Sequence, residues 1–411
     1  MCAQALLYGQ EIGECNPRLF RRIITYKRLS QLSVSATHVK SSGTHSITSM
    51  EIEPMEYRYL ISTGSSKKIS IHDTWNLYRK EDLNSHSLPQ VACVGSQERH
   101  KRYMHKNTVN FVQWYPRDTG LFVTSSLDGT IKIWDTNKLK PAETMQISSP
   151  IYNHHLSPTA TTHLLIAAAT TSRVRLADIR SGSTTHMLRG HVGNVLCVRW
   201  SPKDEFHLAS GSVDNKVLMW DVRHAKSILR TFDQHNSESS GDPTSAGTAH
   251  TGTVNSIRFN DDGRYLLTYG TDDRMRLWNT DTGENTLVNY GRVDNDFQHL
   301  PLHMTIYNGG PMSSVAFVPA GRQILMFDLY AGHFLRRLTE HLSTVRCCEL
   351  NPRTQEFYSA AQNSNILVWS PDDADAHSAS DVIGVGGDAT SNDQARQMIA
   401  NLWQDDWSDS D

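Results

Sequence analysis

Apolar and polar positions alternate along most of this chain with a period of two, in short runs cut by Ser-Pro, Asp-Gly and Asp-Asn punctuation. Val195, Cys197 and Arg199 mark one run, and Thr130, Lys132 and Trp134 another. A period of two puts successive side chains on opposite faces and predicts β-strands. Three segments align without a gap: Leu208–Asp221 (LASGSVDNKVLMWD), Phe122–Asp135 (FVTSSLDGTIKIWD) and Leu266–Asn279 (LLTYGTDDRMRLWN). The same frame places a strand-ending position at His72, Trp134, Ala177, Trp220, Trp278, Phe327 and Trp369. Asp73, Asp135, Asp178, Asp221, Asn279, Asp328 and Ser370 follow them. Seven units result. Steps of 43 residues separate Trp134, Ala177 and Trp220, and 42 separate Phe327 from Trp369. The longer steps hold polar stretches at Arg79–Lys101 and Asp233–Ala249, expected to be surface loops between units.

A period of about 40 to 45 residues with four strands per unit resembles the WD repeat. The expected fold is all-β, a seven-bladed WD-repeat β-propeller. Four units carry a full polar set: His105, Thr124, Asp128, Trp134; His191, Ser210, Asp214, Trp220; His250, Thr268, Asp272, Trp278; and His341, Ser359, Asn363, Trp369. A His bridging a hydroxyl and a turn Asp, with an indole N–H as a further donor, pairs groups that would each cost about 1 to 3 kcal/mol if buried unpaired. The same residues suggest a Ser-His-Asp triad. An active site needs to exist once, however, and this set occurs four times, so a structural role is expected. Units one, three and six, with His72, Ala177 and Phe327 at the Trp position, must lean on their neighbours.

Two segments fall outside the repeat. Asn16-Pro17 starts a helix, and Leu19, Phe20, Ile23 and Ile24 then form an apolar stripe flanked by Arg18, Arg21 and Arg22, with Leu6, Leu7 and Tyr8 ahead of it. A propeller encloses its own core, so residues 1–28 read as a helical docking arm for a partner, in preference to a helix folded back on the ring. Residues 29–35 alternate like a strand. The last unit runs from Trp369 straight into Ser-Pro-Asp-Asp and lacks an outer strand, so residues 29–35 are expected to close a ring spanning 29–370. Residues 371–411 hold ten Asp and one Arg, without strand pattern, and read as a disordered acidic tail. Within it, Met398, Ile399, Leu402 and Trp403 could line a short helix, and Trp407 to Asp411 a partner motif charged further by phosphorylation.

The net charge of -3 splits accordingly into +4 for residues 1–40, +2 for 41–370 and -9 for the tail. A near-neutral ring does not grip phosphates, and no direct sequence-specific nucleic-acid binding is expected. The longest aliphatic stretch, Leu164–Ala169, is far short of the ~20 residues of a membrane helix, and no secretory signal is expected. Six cysteines without CxxC spacing favour a reducing, intracellular compartment. Cys347 and Cys348 point to opposite faces of one strand and cannot share an ion. The same geometry keeps His154 and His155 from chelating together, and one of the two is expected to be exposed. No GxxxxGK[ST], HExxH or Gly-x-Ser-x-Gly occurs, and Gly384–Gly387 sits in the tail. Neither metal nor cofactor is expected.

Units three and four end Asp178-Ile179-Arg180 and Asp221-Val222-Arg223. Adjacent blades would thus set two guanidiniums on one rim, suited to an acidic or carbonyl-rich protein surface. These boxes, with the loop strings Val112–Phe122, His154–Pro158, Leu229–Asn236 and Thr271–Gly291, resemble the WD-repeat substrate receptors of cullin-4 RING ubiquitin ligases, specifically those of transcription-coupled nucleotide excision repair. The resemblance implies a nuclear, non-catalytic substrate receptor. Its damage-specific DNA-binding adaptor subunit would be held by Leu6, Leu7, Leu19, Phe20, Arg21, Ile23, Ile24, Asp178, Arg180, Asp221 and Arg223. Cullin-4 and the RING subunit would join indirectly, and the Cockayne syndrome group B remodeller and stalled RNA polymerase II would be further partners. Client contacts are expected around Arg99–Tyr103, His154-His155 and Asn285–Tyr290. Burying four arm residues at about 1.5 to 3 kcal/mol each barely offsets an association cost of about 4 to 15 kcal/mol, so the rim arginines should also be needed. The alternative is a free-standing WD scaffold or peptide reader; a propeller enzyme is the remote third reading.

Overall fold

The alternating runs do form strands. The computed structural model describes residues 25–40, 46–75, 90–95, 101–224, 228–236, 247–297, 299–308 and 314–371. Among them the strands form seven antiparallel sheets, six of four strands and one of three. Blade 1 comprises Ile47–Ile52, Tyr59–Gly64, Ile69–Asp73 and Gln90–Val94. Blade 2 comprises Val109–Trp114, Leu121–Ser126, Thr130–Asp135 and Lys140–Gln146. Blade 3 continues with Ile151–Leu156, Leu165–Thr170, Arg173–Asp178 and Ser183–Arg189, and blade 4 with Val195–Trp200, His207–Ser212, Val217–Asp221 and Ile228–Thr231. Blade 5 has Val254–Phe259, Tyr265–Gly270 and Met275–Asn279; blade 6 has Thr305–Asn308, Ser314–Ala320, Gln323–Asp328 and Phe334–Leu338. Blade 7 takes Val345–Leu350, Phe357–Ala361 and Asn365–Pro371, with Leu32–Lys40 as its outer strand. First strands of successive blades touch in a cycle that returns from Val345–Leu350 to Ile47–Ile52, which makes the seven sheets a seven-bladed β-propeller.

The joint differs in detail from the sequence expectation. The closing strand starts at Leu32, opposite Pro371, and runs on to Lys40, opposite Asn365, with a register shift between Val34 and His38. Residues 29–31 belong instead to the end of a helical turn at 25–30, whose Leu29 is fully buried beside Phe317, Phe357 and Trp369. Thr25 is also buried and accepts a hydrogen bond from the Gln355 side chain at 3.1 Å. Residues 25–28, assigned to the docking arm by the sequence pattern, are therefore packed on the ring. The polar stretch Arg79–Lys101 likewise contains more than loop, because Gln90–Val94 is the outer strand of blade 1.

First strands are buried on both faces, against their own blade and the next. This overrides the alternation in Val195–Trp200 and explains the histidine pair: His154 and His155 lie on the first strand of blade 3 and neither is exposed. His154 Nδ1 meets Ser125 Oγ at 2.7 Å, while His155 Nδ1 accepts the Trp200 amide at 2.9 Å. Burial, with Arg199 nearby, lowers His154 to about 3. Neither ring can serve as the client contact expected of this pair. Cys347 and Cys348, also buried, do face different core clusters.

A repeated clamp joins the early blades. The Glu51 carboxylate accepts the Trp114 amide, Gln113 Oε1 accepts the Leu156 amide at 2.8 Å, and His155 accepts that of Trp200. One residue type after another thus uses the same strand position to pair the next blade's backbone, whose amide would otherwise be buried without a partner. In blade 3, Ala167 and Ala169 pack with Trp200 and Trp220 of blade 4, and Ala177, at the Trp position, packs with Val123, Ile131 and Ile133 of blade 2, which is how a unit without its own Trp leans on its neighbours.

Leu32→Ala opens a cavity at the joint and should cost about 2 to 5 kcal/mol in urea unfolding. Desolvation, followed by repulsion from Glu349, raises the Glu51 carboxyl to about 8. A folded pKa above the unfolded one means a contribution present below about pH 4.5 and lost as pH rises through 8. Glu51→Gln, which copies Gln113, should flatten that decline in stability measured from pH 5 to 8.5.

Candidate functional site

Antiparallel meanders bring the loops between first and second strands, and the turns between third and fourth strands, to one face of the ring. On this face the Asp that ends the third strand organises a turn in blades 1, 2, 3, 4 and 6, and Asn279 does so in blade 5. Asp178 Oδ1 accepts the Arg180 amide at 3.0 Å, and Asp221 Oδ1 accepts the Arg223 amide at 3.0 Å. The two turns are equivalent, on neighbouring blades, as their sequence spacing implies.

Their side chains differ. Arg223 donates Nε to Asp221 Oδ1 at 3.0 Å and Nη2 to Oδ2 at 2.8 Å, and its guanidinium lies 4.7 Å over Phe206. Asp221 is buried, with His207 and His224 nitrogens at 3.4 and 3.6 Å from its Oδ2. The bonds from Arg223 hold its carboxyl well below the usual range. Arg180 is exposed, and its guanidinium makes no bond among the described residues. One arginine is thus held in place with half its surface in solvent, and the other is free to reach.

The ground between them is stitched. Phe206 packs on His163 at 5.7 Å, His163 on Trp200 at 5.1 Å, and His163 Nε2 donates to the Glu205 carbonyl at 2.7 Å. Glu205 Oε2 accepts the amides of Thr161 and Thr162 at 2.6 and 3.2 Å, and these bonds lower its carboxyl to about 2. Loops of blades 3 and 4 therefore behave as one platform between the turns.

The same rim holds residues that the repeat pattern does not flag. Asp73 of blade 1 takes its arginine from a loop: Arg58 Nη2 donates to Oδ2 at 2.8 Å. Trp75, two residues after Asp73 and 43% exposed, lies between Arg58 at 5.5 Å and Arg353 at 4.9 Å. Trp75 occupies the position of Arg180 and Arg223 in its own blade, so comparing the second residue after the strand-ending Asp across all seven units would have found it. Leu6, Leu7, Leu19, Phe20, Arg21, Ile23 and Ile24 lie outside the described residues, as do Gly384–Gly387 and the tail motifs.

The polar sets sit inside the blades. His105 Nε2, His191 Nε2 and His250 Nε2 meet Thr124, Ser210 and Thr268 hydroxyls at 2.7, 2.7 and 2.8 Å. Indole N–H groups of Trp134, Trp220 and Trp278 donate to the same hydroxyls at 2.8, 2.7 and 2.8 Å. Asp128, Asp214 and Asp272 stand at 3.3, 2.9 and 2.9 Å from the histidine Nδ1 atoms. Burial would raise these carboxyls, but the bonds they accept override it and leave all three lowered. In blade 7, His341 and Trp369 both reach Ser359 Oγ at 2.7 Å, while Asn363 accepts the Asn365 amide and makes no bond to His341. Burial alone lowers His341 to about 4. Each shared hydroxyl is fully buried, out of reach of a substrate. No group of three or more His, Cys, Asp or Glu able to hold a metal occurs among the described residues.

Strand ends marked by Trp-Asp and fastened by a buried His-hydroxyl-Trp set are the marks of WD repeats, carried here by four blades of a seven-bladed β-propeller. The family model described as WD domain, G-beta repeat matches residues 92–135, 182–221, 241–279 and 332–370, which end in blades 2, 4, 5 and 7, the four with polar sets. Among curated proteins, WD repeat-containing protein ATCSA-1 of Arabidopsis thaliana is 28% identical over 88% of this chain and 94% of its own length. Radiation-sensitive protein 28 of Saccharomyces cerevisiae is 26% identical over 42% of this chain and 38% of its own. Target of rapamycin complex subunit wat1 of Schizosaccharomyces pombe is 24% identical over 64% of this chain and 78% of its own.

Thr268→Ala strips both His250 and Trp278 of their shared partner and should cost about 2 to 5 kcal/mol in chemical unfolding. Thr268→Ser, which restores the hydroxyl used by blades 4 and 7, should recover most of it.

Proposed function

We propose that this protein is the substrate-recognition subunit of a cullin-4 RING E3 ubiquitin ligase acting in the nucleus in transcription-coupled nucleotide excision repair. In that role it holds target proteins near a transferring enzyme and does no bond chemistry of its own; catalysis is an effective-concentration effect. The loop strings named above resemble those of the Cockayne syndrome group A protein. Likeness to ATCSA-1 along nearly the whole length of both chains supports the same reading.

The observation that carries it is the pair of equivalent turns at Asp178–Arg180 and Asp221–Arg223 on neighbouring blades. A fixed guanidinium and a free one, on a platform stitched by His163 and Phe206, suit the carbonyls and carboxylates of the damage-specific DNA-binding adaptor. The N-terminal arm would supply apolar area beside these polar contacts. Stalled RNA polymerase II and the Cockayne syndrome group B remodeller would be the partners brought to the ligase.

A second reading, a free-standing scaffold, draws on the likeness to wat1, a protein whose name places it in another complex. Affinity purification decides between them: the ligase reading requires the adaptor and cullin-4 among the recovered partners, and their absence favours the scaffold. For the rim, Arg180→Ala with Arg223→Ala should weaken binding of the purified chain to the adaptor about tenfold or more, with an unchanged far-UV spectrum and a lowered melting temperature that Arg180→Ala alone does not share, because Asp221 loses its partner. Undiminished affinity would remove the rim from the interface.

A further inference from the structure

We propose that the face of blade 3 turned toward blade 2 binds an acidic segment of a partner protein through Arg173, Arg175 and Arg189. Blades 2 and 4 on either side carry the full polar set, and blade 3 carries none of it. Ala168 stands opposite Arg175 where blade 2 has Thr124 opposite Lys132, and Ala177 holds the Trp position. Ile147, four residues before the first strand, takes the place that His191 and His250 have in blades 4 and 5. The turn between second and third strands is one residue shorter. Thr171 and Ser172 join Thr170 to Arg173, whereas Leu127, Asp128 and Gly129 join Ser126 to Thr130 in blade 2. Counted back from the third strand, Thr171 stands where the turn Asp would be.

Loss of that Asp strands a cation. The position two residues before the strand end holds Lys132 in blade 2, Arg175 in blade 3 and Arg276 in blade 5. Lys132 faces Asp128 and donates to the Tyr103 carbonyl at 2.6 Å, and Arg276 donates to Asp272 at 2.8 Å. Arg175 has neither kind of partner: its Nε is enclosed without one, and its terminal nitrogens make no bond among the described residues. Arg173, two residues earlier, meets only Met187 Sδ, at 2.8 Å. Exposed Arg189 is the register partner of Arg173 on the outer strand, and like charges placed directly opposite repel. Val174 and Leu188 point into the core shared with blade 4, and Ala177 into that shared with blade 2, so by alternation the three arginines share the blade 2 side. Glu143 of blade 2 lies instead against Gly182, at the rim end.

The surroundings specify what would be bound. Three guanidiniums without countercharge suit carboxylates clustered along a chain, which they can hold by charge-assisted, bidentate bonds. Among the described residues of blades 2 to 4 no Trp, Tyr or Phe is exposed, so a nucleic-acid strand would find no ring on which to stack its bases. The exposed apolar neighbour is Val192, three residues beyond Arg189 and 89% exposed. An acidic segment with an apolar residue in it satisfies both. Arg173 begins the third strand and Arg180 follows its other end, so this site does not depend on the adaptor reading of the rim.

The test uses the full chain and a fluorescein-labelled peptide, Gly-Asp-Glu-Val-Asp-Glu-Gly, followed by fluorescence anisotropy. Saturable binding is expected. Affinity should fall about tenfold on Arg175→Gln and on Arg189→Gln, with an unchanged far-UV spectrum. Thr171→Asp, which supplies the turn carboxylate and keeps all three arginines, should weaken binding to a similar extent. Binding should persist in the Arg180→Ala, Arg223→Ala double variant, so that failure of the rim reading and failure of this one are told apart. Absence of saturable binding, unchanged affinity in Arg175→Gln, or tighter Arg175-dependent binding of oligothymidylate than of the peptide overturns the proposal.

Discussion

Pairing of Leu32–Lys40 with Asn365–Pro371 is the contact on which the rest of this ring depends. Seven sheets stacked side by side have two free ends, and each end would expose a strand edge and an apolar face. Taking one strand of the last blade from the start of the chain joins those ends through a hydrogen-bonded ladder. Side chains reinforce the seam: Arg336 donates to the Ser30 carbonyl at 2.6 Å, and Asn351 to the Tyr57 carbonyl at 2.8 Å. Residues more than 290 positions apart are thereby held in register, and every blade gains a neighbour on both sides.

Closure creates a second demand, because strands buried inside the ring still carry polar groups. The ring meets it in two ways. Within blades 2, 4, 5 and 7, a shared hydroxyl serves both a histidine and an indole. Between blades, Glu51, Gln113 and His155 each accept an amide from the next one. Residues that would look catalytic on a surface are here consumed by pairing buried groups, which is why their repetition is the informative feature. Where the internal set is absent, large side chains of adjacent blades take over, as Trp200 does for blade 3 and Tyr290 for blade 6.

With the interior committed in this way, variation is left to the rim. The position two residues after the strand-ending Asp holds Trp75, Arg180 and Arg223 in blades 1, 3 and 4, all displayed by the same kind of turn. A rigid frame with exchangeable side chains is what a protein-recognition subunit requires, and it also limits what such a subunit can do. Arg223 cannot swing far while Asp221 binds it through two atoms, whereas Arg180 keeps its freedom.

Much of this was legible from residues alone. Repeat spacing identified seven units, the polar sets identified which four are self-fastened, and the missing outer strand of the last unit pointed to the N-terminal segment that supplies it. These features are local or periodic, so a one-dimensional pattern carries them. Tertiary structure alone decided the rest. Leu29 lies in a turn because it fills space beside Phe317 and Trp369; neither His154 nor His155 is exposed because two blades press on their strand; Arg58 serves Asp73 although nothing in the repeat marks it. Each outcome depends on what a neighbouring blade brings to the position. Spacing within a unit has no knowledge of that neighbour until the ring is closed.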